Sequence, residues 1–485
     1  MNLRELEPSR LWGVFADICS IPHPSGHEAR LRDYMLDFAA RHGLESRCDA
    51  TGNVLLKAEA SPGCENIRPV ILQGHLDMVP EKNSDYDFDF LTQPVQPVIS
   101  GDLVMAENTT LGADNGIGLA MILTVMTDPE VKHGTLYGLF TVEEETGLTG
   151  ADNVEPGFIK ADILINLDSE EEGHLFVGCA GGARIDFTLE PEYVPVPDNY
   201  HFFEIDVCGL RGGHSGCDIH VGRGNAIKEA AALLRIISGK IPGFRLVGLK
   251  GGDLDNAIPR ETFISLTVPV GDIEKLEQIV AEFFMERRGE YALTDPDYGV
   301  ALRNTSAVRN VFSHEFAGKL IGALDECPNG VIAESHEFPG VIETSTNLAS
   351  VKTLGDKMTV TTSQRSLIDE SRDRLSDRII DLFKSYGIEG SIRSRYPGWM
   401  PSADSIMLKI ATRVYEKQTG KKPEVVVIHA GLECGIIGKK HPGIDMISFG
   451  PDINGPHAPG ENVGISSCGR VLEFLKGILA EIPEK

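Results

Sequence analysis

The chain is short of positive charge: 45 Lys and Arg stand against 72 Asp and Glu over 485 residues, a formal charge of -27. A surface of that sign repels a phosphate backbone and an anionic bilayer, so neither nucleic acid nor membrane is an expected partner. Paired cysteines are missing as well. The nine cysteines are odd in number, widely scattered and contain no C-x-x-C pair, which reads as reduced thiols in a cytoplasmic protein. No stretch approaches the roughly 20 apolar residues of a spanning helix. The opening Met-Asn-Leu-Arg-Glu-Leu-Glu carries acids where a secretory signal needs a basic segment and then an apolar run. A cytoplasmic location is therefore expected. Low-complexity tracts and long polar linkers are absent too, while 41% of residues are hydrophobic. A chain of this length exceeds one compact core, and two or more domains are expected.

What is present falls into two textures. Over the first 180 or so residues, helical and strand signals alternate, the pattern of an α/β domain on a mainly parallel sheet. Ser25 and Glu28 have capping-box spacing ahead of Leu31, Tyr34, Met35 and Phe38, and Gly43 stands as a stop. Apolar runs suited to buried strands lie at 54–56, 70–72, 136–142 and 163–167, with an apolar helix expected at 117–126. From Arg184 the pattern turns to alternating strands interleaved with helices, and after the turn-rich Tyr396-Pro397-Gly398-Trp399 the α/β texture returns. The expected organisation is a discontinuous α/β domain, residues 1–183 and 399–485, interrupted by an α+β domain at 184–398.

Candidate chemistry clusters where strands end, the place where open α/β sheets bind ligands. His75 and Asp77 follow the strand at 70–72; His75 can ligate a metal through one imidazole nitrogen, with Asp77 accepting a hydrogen bond from the other. Alone, the pair reads better as a strand-end histidine and a turn aspartate. Asp114 sits between glycines just before the apolar helix, equally suited to capping that helix or to bridging two cations. Three acids, Glu143, Glu144 and Glu145, close the strand at 136–142. Glu143 reads as solvated; of the other two, one could ligate metal while its neighbour acts as general base. Asp168 ends the strand at 163–167, and Glu170 to Glu172 read as a solvated turn. His457, in Asn454-Gly455-Pro456-His457-Ala458-Pro459, would pass alone for an ordinary loop histidine. Together they offer two imidazoles and three carboxylate ligands with no thiolate, a set suited to two zinc, manganese or cobalt ions.

In this order, Gly-His-Leu-Asp, Gly-Ala-Asp-Asn-Gly, Glu-Glu-Thr-Gly, Asn-Leu-Asp-Ser-Glu and Gly-Pro-His resemble the motifs of the co-catalytic zinc peptidases that include carboxypeptidase G, aminoacylase and carnosinase. The resemblance extends to Gly-Gly-His-Ser-Gly at 212–216, Asn-Ala-Ile-Pro-Arg at 256–260, Arg-Ser-Leu-Ile-Asp at 365–369 and His-Ala-Gly-Leu-Glu-Cys-Gly at 429–435, and so to essentially the whole chain. It implies a zinc-peptidase catalytic domain with an inserted lid and dimerisation domain, acting as a homodimer on small peptides. It further implies that Asp114 bridges two metals, that His75 and Asp168 complete one site and Glu145 and His457 the other, and that Glu144 is the general base. By the same resemblance His214 donates to the developing oxyanion, and Asn256 and Arg365 bind substrate. The expected activity is a broad dipeptidase that accepts Xaa-His. A tripeptidase, an N-acyl amino acid deacylase and a catalytically silent binding protein are the alternatives on the same fold.

Overall fold

The computed structural model describes residues 2–155, 157–336, 338, 340–354, 356–402 and 404–485. The chain divides into two compact units, one of Met1–Gly178, Trp399–Val427 and Leu432–Lys485, the other of Cys179–Gly398 and Ile428–Gly431. The first division falls a few residues before the expected position at 183/184. The strand Gly181–Leu189 explains this, because it pairs from its first residue with Lys357–Ser366 and is a strand of the second sheet. The glycines at 178, 181 and 182 mask that start in the sequence.

The first unit is built on an eight-stranded sheet in the order Glu45–Cys48, Val54–Ala58, Leu136–Thr141, Val70–His75, Ile163–Asn166, Asp445–Ser448, His174–Cys179, Glu424–Ile428. Its four middle strands, Leu136–Thr141 to Asp445–Ser448, run parallel. They carry the continuous apolar character expected of strands covered on both faces. Against them lies Ala113–Thr127, buried along its whole length from Asn115 to Met126, as an all-round apolar helix must be. Ser9–Cys19 packs Leu11, Trp12, Phe15 and Ile18 into the same core. The last helix, Ile465–Ala480, buries Val471, Leu472, Leu475, Ile478 and Leu479. Ile482 also joins that core but lies past the helix end.

Ala29–His42 forms as expected, with Gly43 at its end in the left-handed conformation. The expected capping box does not. Ser25 turns its hydroxyl to Asp77, and Glu28 accepts from the backbone N–H groups of Gly26 and Glu143. Both side chains are spent on holding loops that neighbour them only in space.

The second unit is a nine-stranded sheet, antiparallel throughout its pairings, with Tyr200–Cys208, Thr262–Pro269 and Ile342–Leu354 among its strands. Helices Ala226–Lys240, Ile273–Glu290, His314–Glu326 and Asp369–Ser385 contribute to its core, which includes Ile205, Leu234, Leu266, Phe283, Leu320 and Phe383. No helix among the described residues is long and apolar enough to cross a membrane.

Candidate metal centre

Leu136–Thr141, Val70–His75 and Ile163–Asn166 are adjacent and parallel, so their carboxyl ends open on one edge. That edge receives His75 as the last strand residue, Glu144 and Glu145 three and four residues beyond Thr141, and Asp168 two beyond Asn166. Glu143 makes the turn between strand and acids: its φ of 51° lies in the left-handed region, uncommon for a side chain with a Cβ. It is half-buried rather than solvated. The next two N–H groups, of Glu144 and Glu145, donate to the Asp77 carboxylate at 2.9 and 3.2 Å. Asp77 also accepts from Ser25 at 2.8 Å. Asp77 therefore has a second task besides the expected one. The backbone carbonyl of Asp77 lies 2.9 Å from His75 Nδ1 and its carboxylate 3.5 Å from the same nitrogen, while that carboxylate also anchors the Glu144–Glu145 turn.

Asp114 reaches the same edge from the start of Ala113–Thr127. It does not cap that helix. Glu461 does so through space, its carboxylate accepting from the N–H groups of Leu111, Gly112, Ala113 and Asp114 at 2.7 to 3.2 Å. Asn115 then wedges the helix against the sheet, donating to the Leu167 carbonyl at 2.7 Å. Only glycine fits beside that wedge: a Cβ at Gly74 would lie 2.1 Å from the Asn115 amide oxygen. With the helix end satisfied by Glu461, the Asp114 carboxylate is left to face imidazoles on both sides. Oδ1 lies 3.1 Å from His75 Nε2 and Oδ2 3.1 Å from His457 Nε2. His457 occupies the loop between Ile453–Asn454 and Asn462–Gly464, with a left-handed φ of 61°.

Two sets of donor atoms result, each within 4.8 Å: His75, Asp114 and Asp168 in one, Asp114, Glu145 and His457 in the other. Asp114 is common to both. A third set, His75, Glu144 and Glu145, places Glu144 beside them. All six expected residues thus converge. Buried oxygens Oε1 of Glu145 and Oδ1 of Asp168 have no hydrogen bond, although imidazole nitrogens approach to 3.0 and 3.1 Å. Such oxygens lack a partner that a cation would supply, so the residues fit a pair of divalent ions.

The electrostatics agree. The close carboxylates of Asp114 and Glu145 push the His457 pKa up to about 11. Burial alone would lower His75, but the carboxylates around it, Asp168 foremost, raise it well above its ordinary value. Burial, then the charges of Asp168, Glu145 and Glu433, holds Glu144 well above the usual carboxylate range. Burial and the neighbouring acids raise Asp168 likewise. Carboxylates crowded beyond what two imidazoles neutralise are a site short of positive charge.

Residues 71–481 match the family model described as peptidase family M20/M25/M40. The chain belongs to that family. It is 42% identical to the cytosol non-specific dipeptidase of Escherichia coli (strain K12) over 488 aligned positions, covering 100% of both chains. The crystal structure of aminoacylhistidine dipeptidase from Vibrio alginolyticus superposes with a TM-score of 0.90 at 42% identity, covering 100% of this chain and 99% of that one. Aminopeptidase PepT from Bacillus cereus, at 16% identity and a TM-score of 0.57 over 98% and 99% of the two chains, shares the fold.

The remaining predicted residues of this M20/M25/M40 peptidase lie in the second unit. His214 is half-buried, and its Nδ1 accepts from the N–H groups of Gly216 and Cys217 at 3.3 and 3.0 Å. A nitrogen that accepts carries no proton, so the ring is neutral with its hydrogen on Nε2. Burial and the nearby Arg365 charge lower its pKa to about 4. Arg365 is buried and donates to the Tyr396 hydroxyl at 3.2 Å. Asn256 is exposed, and its backbone carbonyl accepts from Ser215 N–H, next to His214. His429, singled out only as part of a motif, is buried against the Ser345 hydroxyl at 2.8 Å.

Three acids of the first unit are more buried than the sequence suggests. Glu461 was not singled out and Glu433 stood only as part of the motif at 429–435; the structure buries them to 2% and 0% exposure. Glu170 is half-buried rather than part of a solvated turn, and Glu172 is tied to Arg470; Glu171 alone of the three is exposed. Burial, then the Asp114 charge, pushes Glu170 up to about 7.

Proposed function

We propose that the protein is a two-metal dipeptidase of broad specificity that accepts Xaa-His substrates and works in the cytoplasm. The observation that carries this reading is the pair of donor sets sharing Asp114, with Glu144 beside them. Asp114 would hold both ions, with His75 and Asp168 completing one site and Glu145 and His457 the other. Zinc is the preferred metal, and manganese or cobalt also suit a donor set of nitrogen and carboxylate oxygen. When bound, the ions supply Lewis acidity that lowers the pKa of water toward neutrality.

Glu144 takes the proton of the attacking water and returns it to the leaving amine. A carboxylate held at a raised pKa suits both transfers. Asp77 serves as a positioning residue, fixing the backbone of Glu144 and Glu145 through its two accepted N–H bonds. In the second unit, proposed as lid and dimerisation domain of a homodimer, neutral His214 offers its Nε2–H to the oxyanion. Arg365 takes the substrate carboxylate, and Asn256 binds the substrate alongside it.

The test is a substrate panel on purified protein with added zinc or manganese: Xaa-His and other dipeptides, tripeptides and N-acetyl amino acids. Cleavage of dipeptides above the other two classes is expected. Absence of dipeptide turnover would refute the reading.

A further inference from the structure

Beneath the proposed metal centre a buried chain of side-chain hydrogen bonds crosses four successive parallel strands. It begins at Glu433, which is completely buried and comes from the first turn of Glu433–Lys440, remote in sequence from every strand it touches. Its Oε2 accepts from the Thr141 hydroxyl at 2.7 Å and from Gln73 Nε2 at 2.5 Å. The Gln73 amide oxygen in turn accepts from Asn166 Nδ2 at 2.6 Å. Asn166 Oδ1 then accepts from the Ser448 hydroxyl at 2.5 Å and from the backbone N–H of Asp168 at 3.3 Å. Ser169 closes the chain against Ser448 at 2.6 Å. Thr141, Gln73, Asn166 and Ser448 are all fully buried, so water cannot replace a missing partner.

The chain has a direction, and Glu433 sets it. An acceptor at Oε2 obliges Gln73 to present its NH2 group, hence its oxygen to Asn166. Asn166 must then present its own NH2 group to Gln73 and its oxygen to Asp168. Reversing either amide would face oxygen with oxygen or NH2 with NH2 in a dry interior.

We propose that Glu433 is a positioning residue for the Asp168 side of the metal centre, acting through Gln73 and Asn166 as the acceptor that orients this hydrogen-bond chain. The inference rests on the metal-centre reading above. It requires an acceptor at Oε2 and is indifferent to charge, so Glu433→Gln, with its amide oxygen at that position, preserves the chain, whereas Glu433→Met does not.

The experiment titrates Zn2+ into metal-stripped full-length protein against a competing chelator that resolves two binding steps, and follows hydrogen exchange of the Asp168 amide in the stripped protein. Glu433→Met should weaken one step about 10- to 100-fold and leave the other within about threefold, with faster exchange at Asp168. Glu433→Gln should stay within about threefold at both steps. Gln73→Met, which leaves Glu433 in place, should repeat the selective loss and serves alone if Glu433→Met does not fold. The double variant should be no weaker than the weaker single one. Unchanged steps and exchange in both Met variants, equal weakening of both steps, or a Gln variant as impaired as the Met variant would each overturn the proposal. Failure of the native protein to bind zinc would instead overturn the metal-centre reading, and Asp168 exchange would still decide whether Glu433 orients the chain.

Discussion

Four histidines, two in each unit, titrate in opposite directions. In the first unit His75 and His457 face Asp114, Asp168 and Glu145, and both are raised, His457 to about 11. In the second unit half-buried His214 and buried His429 lie within reach of the Arg365 charge, and burial and that charge lower them to about 4 and about 3. The residue type is the same; burial and the neighbouring charges decide. On the proposed reading, surplus carboxylate in the first unit serves cations, and the buried arginine beside neutral imidazoles in the second serves an anion and a ring N–H donor. A peptide hydrolase needs both environments, one to activate water and one to hold a carboxylate and a developing oxyanion.

The sharpest way to break this contrast is to strip the first unit of metal. A chelator should abolish dipeptide cleavage, and zinc, manganese or cobalt should restore it, as read by product release. Next in size is Glu144→Gln, which should lower kcat by about 10²- to 10⁴-fold with metal content unchanged; loss of metal alongside activity would make Glu144 a ligand. In the second unit, His214→Ala should lower kcat by about 10²- to 10³-fold with little change in KM. Arg365→Lys, which keeps charge but loses the planar fork, should mainly raise KM.

A smaller effect tests the second unit's electrostatics through stability. The folded His429 pKa lies below its unfolded value, so its contribution is fully present above about pH 6.5 and is lost as pH falls toward about 3. Urea unfolding should show stability declining over that window and a shallower decline in His429→Gln. An unchanged slope would remove burial beside Arg365 as the cause. The smallest effect expected is Ser25→Ala, which removes one of the hydrogen bonds to Asp77 and should cost about 1 kcal/mol in the same assay.

Much of the first unit was legible in the sequence because its information is local. The apolar runs at 70–72 and 163–167 became Val70–His75 and Ile163–Asn166, and residues placed just beyond strand ends arrived at one edge because the strands are adjacent and parallel. Partners remote in sequence were not legible. Glu461 caps a helix some 350 residues before it, and no periodicity links the two. Ser25 and Glu28 misled for the same reason: their spacing fits a capping box, but Asp77 and the Glu143 N–H compete successfully for them. Asp77 faces the His75 imidazole with both its backbone carbonyl and its carboxylate, and carries a further task that no spacing shows, the anchoring of the Glu144–Glu145 turn. The protonated nitrogen of His214 could not be read at all without the two N–H groups that turn toward Nδ1.

The central claim is that Asp114 joins two cation sites in one. Metal counting on the purified full-length chain, native and Asp114→Ala, tests it most directly. The account predicts a pair of ions per native chain and near-complete loss of both in the variant, with the fold retained by circular dichroism. A single ion in the native protein, or a variant that keeps one site at native affinity, would contradict it.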